Sequence, residues 1–213
     1  MKKNNKLVLV GGGGHCKSVL DAAIRANYFS EIVITDCSIP VNTKILGCKV
    51  VGNDEVLPKL FEKGFKWAFI TIGSIKATDI RRSVFLKTQK IGFCFPTIID
   101  PSAVVSASAL IGKGVYIGKN TIVNADVVIN DMVIINTAAI IEHDCKIGDF
   151  THIAVGATVC GGTEIESDVF VGANATIVQG VKIGMKSVVG AGSIVLDNVP
   201  EYSRVVGTMR INR

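Results

Sequence analysis

The sequence Ile135-Asn-Thr-Ala-Ala-Ile-Ile141-Glu-His-Asp-Cys-Lys-Ile147-Gly-Asp-Phe-Thr-His-Ile153 has isoleucine at every sixth position. The spacing continues in both directions without insertion or deletion, so sixteen successive positions hold isoleucine or valine. These positions are Val105, Ile111, Ile117, Val123, Ile129, Ile135, Ile141, Ile147, Ile153, Val159, Ile165, Val171, Ile177, Ile183, Val189 and Val195. A period of six fits neither an α-helix nor a lone amphipathic strand. It is typical of a parallel β-helix built from hexapeptide repeats.

The repeat also predicts how each coil is built. Three hexapeptides form a triangular coil of about 18 residues, and coils stack at the inter-strand spacing of roughly 4.8 Å. The isoleucine or valine of each strand should point into the prism. Glycines directly after core residues, such as Gly112 and Gly148, and asparagines at the same register, such as Asn124, are expected where corners need unusual backbone angles. The flat faces still need cover. Hexapeptide proteins resemble one another in providing it by forming threefold-symmetric trimers, and we expect the same here.

Composition restricts the class of protein. The 213 residues suffice for two small domains. No run approaches the length of a membrane helix, and no signal peptide is predicted, so we expect a cytoplasmic protein without membrane insertion. The net charge is +5, but the basic residues are scattered, which argues against nucleic acid and suits small anionic ligands. The six cysteines show neither CxxC pairs nor zinc spacing, so no metal site is predicted.

The residues before the repeat predict an α/β domain. Residues 7–10 form an apolar run typical of a buried parallel strand, and four glycines follow at 11–14. A helix is predicted over 18–26 and a second strand over 31–36, which completes a Rossmann-like βαβ unit. Further strands are predicted at 47–51 and 67–71, and further helices at 56–63 and 79–88. We place the domain boundary between residues 97 and 98.

The glycine-rich turn is the candidate phosphate-binding element, because glycines let backbone N–H groups approach a phosphate at a helix N-terminus. Lys17 stands where a dinucleotide fingerprint has its third glycine, which favours a smaller nucleotide than NAD. Asp36 follows the second strand and could accept hydrogen bonds from a base or ribose. Gly52 and Gly73 follow later strands, where α/β sheets bind ligands. A tight turn without a ligand is the alternative.

The chain has three histidines, His15, His143 and His152. His143 comes two residues after a core position, so it should lie at a corner outside the prism, where it could act as a general base. Asp144 could fix its tautomer and raise its basicity; Glu142 is the alternative partner. His152 directly precedes a core residue, so it should face outward and could contact a second substrate. Solvated histidines without a function are the alternative for both.

A ladder of small residues is predicted along one edge of the prism. Val155, Ala173 and Ala191 are 18 residues apart and should stack on successive coils. Small side chains there would leave backbone N–H and C=O groups accessible to an extended ligand. Such ladders also occur purely for packing.

Three segments, residues 12–17, 136–145 and 148–152, resemble bacterial sugar acyltransferases, and the resemblance covers essentially the whole chain. That family includes UDP-4-amino-sugar N-acetyltransferases of the bacillosamine type, GDP-perosamine N-acetyltransferases and sialic acid O-acetyltransferases. The resemblance implies a Rossmann-like domain followed by a left-handed parallel β-helix, assembled as a homotrimer with active sites between protomers. The family usually ends in Gly-x-Pro-Ala-Lys/Arg, whereas this chain has Gly207-Thr208-Met209-Arg210 without the proline.

The resemblance also implies a role for each candidate residue. His143 would be the general base and Asp144 the acid that tunes it, with Asn136 contacting the reacting sugar. The turn at Gly13, Gly14 and His15, with Asp36, would hold the nucleotide. The acetyl-CoA groove would be lined by His152, Ala173 and Ala191, with Val155 on the same ladder. Without the terminal proline, Arg204 or Arg210 could still pair with the CoA phosphates.

The predicted function is acetyl transfer from acetyl-CoA, as co-substrate, to the amino group of a nucleotide-activated amino sugar. The resemblance favours a UDP-4-amino sugar in surface polysaccharide or glycan biosynthesis. O-acetylation of a sialic acid by the same base is the alternative within enzymes, and a scaffold that only trimerises is the alternative outside them. A carbonic anhydrase would need three histidine ligands for zinc, and His15 lies in the other domain.

Overall fold

A computed structural model describes residues 5–73 and 78–209. The chain divides into two compact units, Met1–Ile98 and Ile99–Arg213. Within the described residues, no helix is both long enough and apolar enough to span a bilayer.

The first unit contains a sheet with the strand order β3-β4-β2-β1-β5, in which only the pairing of β3 with β4 is antiparallel. Its elements are β1 (Lys6–Val10), α1 (Gly14–Ala26), β2 (Glu31–Thr35), β3 (Lys44–Ile45), β4 (Cys48–Gly52), a 3₁₀ turn (Asp54–Val56), α2 (Leu57–Glu62), β5 (Phe65–Ile70) and α3 (Thr78–Ile91). The residues of β1 from Leu7 to Val10 are buried, as expected of a central parallel strand. Helix α1 begins four residues before the predicted start, because the turn ends at Gly13.

The second unit is the predicted parallel β-helix. Each of the sixteen predicted core positions is the second residue of a two-residue strand, and within each face the strands of successive coils pair in parallel. The strands are β6 (Ile98–Ile99), β7 (Val104–Val105), β8 (Leu110–Ile111), β9 (Tyr116–Ile117), β10 (Ile122–Val123), β11 (Val128–Ile129), β12 (Ile134–Ile135), β13 (Ile140–Ile141), β14 (Lys146–Ile147), β15 (His152–Ile153), β16 (Thr158–Val159), β17 (Glu164–Ile165), β18 (Phe170–Val171), β19 (Thr176–Ile177), β20 (Lys182–Ile183), β21 (Val188–Val189), β22 (Ile194–Val195), β23 (Arg204–Val205) and β24 (Thr208–Met209). The fold prediction is confirmed.

The strands form the faces of the prism. Face 1 is the sheet β24-β22-β19-β16-β13-β10-β7, face 2 is β20-β17-β14-β11-β8, and face 3 is β23-β21-β18-β15-β12-β9-β6. We name the corners by the order of the chain. Corner A leads from face 1 to face 2, corner B from face 2 to face 3, and corner C from face 3 to face 1.

The corners correct one expectation. The unusual backbone angles fall three residues after the core position in the fourteen repeats from Ile111 to Val189, where φ lies between 53° and 72°. These residues are Gly114, Asn120, Asp126, Met132, Ala138, Asp144, Phe150, Gly156, Gly162, Asp168, Asn174, Gly180, Lys186 and Gly192. Gly112 and Gly148, directly after core residues, instead permit close stacking of coils. A Cβ at Gly148 would lie 2.5 Å from the backbone nitrogen of Ser167 on the next coil.

Candidate active site

His143 and Asp144 form a hydrogen-bonded pair at corner A, between β13 and β14. The imidazole Nδ1 lies 2.8 Å from Oδ2 of Asp144, and both side chains are exposed. Asp144 occupies the left-handed corner conformation, with φ of 59°. The fold imposes this conformation at the equivalent position of every repeat from Gly114 to Gly192, so it is not a strain particular to the site.

Electrostatics favour a more basic imidazole. The hydrogen bond that the ring donates to Asp144 raises the pKa of His143 above its ordinary value of 6.5. Desolvation opposes this rise, and the negative charges of Asp144 and Glu142 add to it. Glu142 is not the ring's hydrogen-bond partner: its Oε2 accepts from Asn124 Nδ2 at 2.8 Å and lies 3.4 Å from the backbone N–H of His143. With Nδ1 donating to Asp144, the neutral ring presents its lone pair at Nε2.

Gly161, which sequence reasoning missed, lies against the imidazole one coil further along. A Cβ built at Gly161 would be 2.7 Å from both Cε1 and Nε2 of His143. The carbonyl of Gly161 accepts a hydrogen bond from Gly180 N–H at 3.0 Å, but its own N–H donates to no acceptor in residues 5–73 and 78–209. A base and an uncommitted backbone donor therefore lie side by side. The signal was available, since Gly161 follows His143 by one coil length.

Asn136 at corner C lies beside His152, which belongs to strand β15 on face 3. The Nδ2 atom of Asn136 is 3.4 Å from Nε2 of His152, and Asn136 Oδ1 accepts from the N–H of Thr137 at 2.8 Å. His152 lies outside the prism, as predicted, but is only 8% exposed, and its ring packs edge-to-face against Phe170 at 5.2 Å. Its contact with acetyl-CoA stays a prediction.

The ladder of Val155, Ala173 and Ala191 also lies at corner C. The prediction that the ladder leaves its backbone carbonyl groups accessible is wrong. The carbonyls of Val155 and Ala173 accept hydrogen bonds from the N–H groups of Asn174 (2.9 Å) and Gly192 (2.8 Å) on the following coils. The N–H groups of the ladder donate to no acceptor in the described part of the chain. Arg210, predicted to bind the CoA phosphates, lies outside the described residues.

Asp36 in the first unit organises the glycine-rich turn. Its Oδ2 accepts the N–H of Gly12 at 2.7 Å, and its Oδ1 accepts the N–H and hydroxyl of Ser38, both at 2.8 Å, and the N–H of Ile39 at 3.0 Å. Partial burial raises the pKa of Asp36, but these hydrogen bonds outweigh it and the pKa falls below its ordinary value. Four donors occupy most of the carboxylate's accepting capacity, so the expected free carboxylate for a base or ribose is not present.

The turn itself is open to an anion. Gly13 and Gly14 are exposed and have no atom within 4 Å of a built Cβ, and α1 begins there without a side-chain cap or an acidic residue in its first turn. His15 follows in that first turn. Backbone N–H groups of an uncapped first turn attract negative charge. Beside the turn lies a hollow of about 500 Å³. Its lining comprises Gly12, Lys17, Ile39, Thr43, Lys44, Ile45 and Leu46.

The other two predicted glycines differ from each other. Gly52 is buried with φ of 152°, a built Cβ would lie 2.7 Å from Val56 Cγ1, and its carbonyl accepts the N–H of Asp36 at 2.9 Å. Gly52 therefore serves packing in β4. Gly73 follows β5 and is exposed with open space around it.

No group of three or more His, Cys, Asp or Glu in the described residues is placed to hold a metal ion.

The predicted residues thus form three groups. His143 and Asp144 share corner A with Gly161. Asn136 and the ladder share corner C, with His152 beside it on face 3. The turn residues lie in the first unit. Corners A and C are the two edges of face 1, so within one chain the base and the ladder are separated by that face. A hexapeptide β-helix with a hydrogen-bonded histidine and aspartate at a corner is typical of the hexapeptide acyltransferases.

Comparisons with known proteins identify the family within this class. Residues 6–87 match the PglD N-terminal domain and residues 162–197 match the hexapeptide repeat of succinyl-transferase. The chain is 33% identical to a histidine-to-alanine variant of GDP-perosamine N-acetyltransferase from Caulobacter crescentus in complex with CoA and GDP-perosamine, covering 93% of this chain and 92% of that one at a TM-score of 0.84. It is 34% identical to the acetyltransferase domain of PglB from Neisseria gonorrhoeae in complex with acetyl coenzyme A, covering 93% and 94% at a TM-score of 0.86.

The chain belongs to the hexapeptide-repeat sugar N-acetyltransferases. It is an acyltransferase, and the predicted resemblance is confirmed.

Proposed function

We propose that this enzyme transfers the acetyl group of acetyl-CoA to the amino group of a nucleotide-activated 4-amino sugar, with UDP as the carrier. The observation that carries the proposal is the pairing at corner A of a base, His143 Nε2, with the uncommitted N–H of Gly161. Amide formation from a thioester needs both groups. The GDP-perosamine complex of a relative supports a nucleotide sugar as acceptor.

The reaction uses His143 as base and then as acid. As the sugar amine attacks the thioester carbonyl, Nε2 takes the amine proton and the new C–N bond forms. Asp144 holds Nδ1–H and stabilises the imidazolium. The N–H of Gly161 donates to the developing oxyanion, a contribution of about 3 kcal/mol for one such donor. Collapse of the intermediate breaks the C–S bond, and the imidazolium returns the proton to the CoA thiolate.

We propose that a trimer completes the site. Face 1 exposes apolar side chains, namely Val104 (66%), Ile122 (40%) and Ile194 (43%). Packing of these faces about a threefold axis buries the apolar surface and sets corner A of one protomer against corner C of the next. That arrangement brings His143 to the neighbour's ladder, whose free N–H groups suit the amide groups of the pantetheine arm. A monomer would keep the two corners apart.

The nucleotide would be anchored in the first unit, at the open turn of Gly13, Gly14 and His15. The first turn of α1 would bind the diphosphate, and Lys17 and Lys44 would add positive charge beside the hollow. Asp36 would act through the turn by holding Gly12 in place.

The test measures release of free CoA thiol. The enzyme should release thiol from acetyl-CoA with a UDP-4-amino sugar, and mass spectrometry should find one added acetyl group on nitrogen. A GDP-linked acceptor compares the carrier nucleotides, and a free sialic acid tests O-acetylation. Thiol release with sialic acid alone would establish the rival activity, and release with none of the three acceptors would refute the proposed acceptor.

His143→Ala provides the mechanistic test. Turnover should fall at least about a hundredfold, because a positioned general base contributes about 10²–10⁴. The exposed ring is not part of the core, so the thermal midpoint and oligomeric state should be unchanged. A variant that keeps a near-normal rate would show that His143 is not the base.

A further inference from the structure

We propose that Gly161 is a positioning residue: the absence of its side chain leaves the space in which the His143 imidazole lies. The consequence for catalysis rests on the proposed function. The consequence for the orientation of the ring does not, and it is measurable without substrate.

The register of Gly161 indicates that the fold does not require glycine there. The residue two positions after each core residue is a side-chain-bearing residue at every repeat from 107 to 197 except 161. At corner A alone, the equivalent positions are Ala107, Ala125, His143, Gln179 and Asp197. The corner therefore accommodates a Cβ on coils both before and after Gly161.

The backbone conformation of Gly161 also indicates that glycine is not required there. The left-handed conformation of this corner falls on the next residue, Gly162, with φ of 66°, whereas Gly161 is not among the residues with positive φ. An L-residue can adopt the conformation of Gly161 without strain. Conformational freedom does not explain the glycine.

The steric surroundings do explain it. A Cβ at Gly161 would lie 2.7 Å from Cε1, 2.7 Å from Nε2 and 3.2 Å from Nδ1 of His143. No backbone atom is among these nearest neighbours, in contrast to Gly148, where the built Cβ meets the backbone of the next coil. The imidazole is the movable end of an exposed side chain, so it would swing away. Because Nδ1 is held 2.8 Å from Asp144, such a swing would break that hydrogen bond and displace Nε2.

The test is Gly161→Ala, with Ala107→Ser as the matched control that adds one heavy atom at the same register of corner A. Alanine keeps the backbone N–H, so the oxyanion donor is not removed. NMR titration of the labelled His143 ring should give a pKa shifted down toward its ordinary value, because the Asp144 hydrogen bond is lost. Turnover should fall at least tenfold with an unchanged oligomeric state. Ala107→Ser should change neither quantity.

An unchanged titration of His143 in Gly161→Ala would overturn the proposal. If wild-type protein shows no acetyl transfer, the proposed function fails, but the titration still decides the positioning role. A stability cycle with His143→Ala provides the independent measurement. Any destabilisation by Gly161→Ala should vanish when the ring is absent; an equal loss in both backgrounds would place the clash in the backbone and refute the inference.

Discussion

Gly148→Ala should destabilise the β-helix because its new methyl group would meet backbone, which cannot move alone. The built Cβ lies 2.5 Å from the nitrogen of Ser167 and 2.6 Å from the carbonyl carbon of Glu166, whereas ordinary contact begins at 3.4 Å. The two coils must therefore separate locally by about 0.9 Å. The hydrogen bond from Gly148 N–H to Ile165 O, now 2.7 Å, would stretch beyond the usual range.

The expected loss combines two effects. Overpacking costs about 1–3 kcal/mol, and one backbone hydrogen bond contributes about 0.5–1.5 kcal/mol. We expect the free energy of unfolding to fall by about 2–4 kcal/mol. Equilibrium unfolding in urea at a fixed protein concentration measures it, since an oligomer's stability depends on concentration.

Gly161→Ala is the matched control, because the same methyl group there meets only the tip of a side chain. Its loss should stay within about 0.5 kcal/mol, as for ordinary surface substitutions. Equal losses for the two variants, or a Gly148→Ala protein as stable as wild type, would refute the account of why glycine follows some core residues directly.

Two further predictions concern the site and the assembly. Asp144→Asn should lower turnover and move the rise of the pH–rate profile to lower pH, because activity requires neutral His143 and the carboxylate that raises its pKa is gone. The control is Asp126→Asn, one coil earlier at the same register, which should leave the profile in place. An unchanged profile in Asp144→Asn would contradict the role of the pair. Ile122→Lys on face 1 should give a monomer in light scattering and little activity in the thiol-release assay. Leu110 on face 2 is also exposed, and Leu110→Lys should leave the proposed trimer intact. A fully active Ile122→Lys monomer would exclude the shared site.

The hexapeptide period predicted the second unit well because one register determines each strand. At every predicted core position, the structure has a two-residue strand whose second residue is the core residue. The short strands β3, β6, β23 and β24 escaped prediction, since they lie outside the regular run and depend on neighbours for pairing. The location of the left-handed residues was also missed. Asn, Asp, Met, Phe and Lys all occupy that position, so composition alone does not reveal it.

The candidate site was predictable where neighbours in sequence are neighbours in space. His143 and Asp144 are adjacent, and their hydrogen bond follows from a corner. Gly161 acts across coils, and its role emerges only when residues one coil apart are compared. The hydrogen bonds that Ser38 and Ile39 donate to the Asp36 carboxylate depend on the path of the loop after β2, and sequence spacing does not predict that path.

The left-handed corners have a consequence for how such chemistry can arise. Asp126 and Asp168 share the backbone state of Asp144, with φ of 57° and 62°, but Ala125 and Ser167 precede them where Asp144 has His143. The scaffold therefore supplies the acid's backbone geometry at those corners as well. By the positioning role proposed for Gly161, a histidine at 125 or 167 would also need a glycine one coil further along, where this chain has His143 and Met185. In a solenoid of this kind, moving the reacting centre to another coil would therefore take two substitutions, one that adds an imidazole and one that makes room for it.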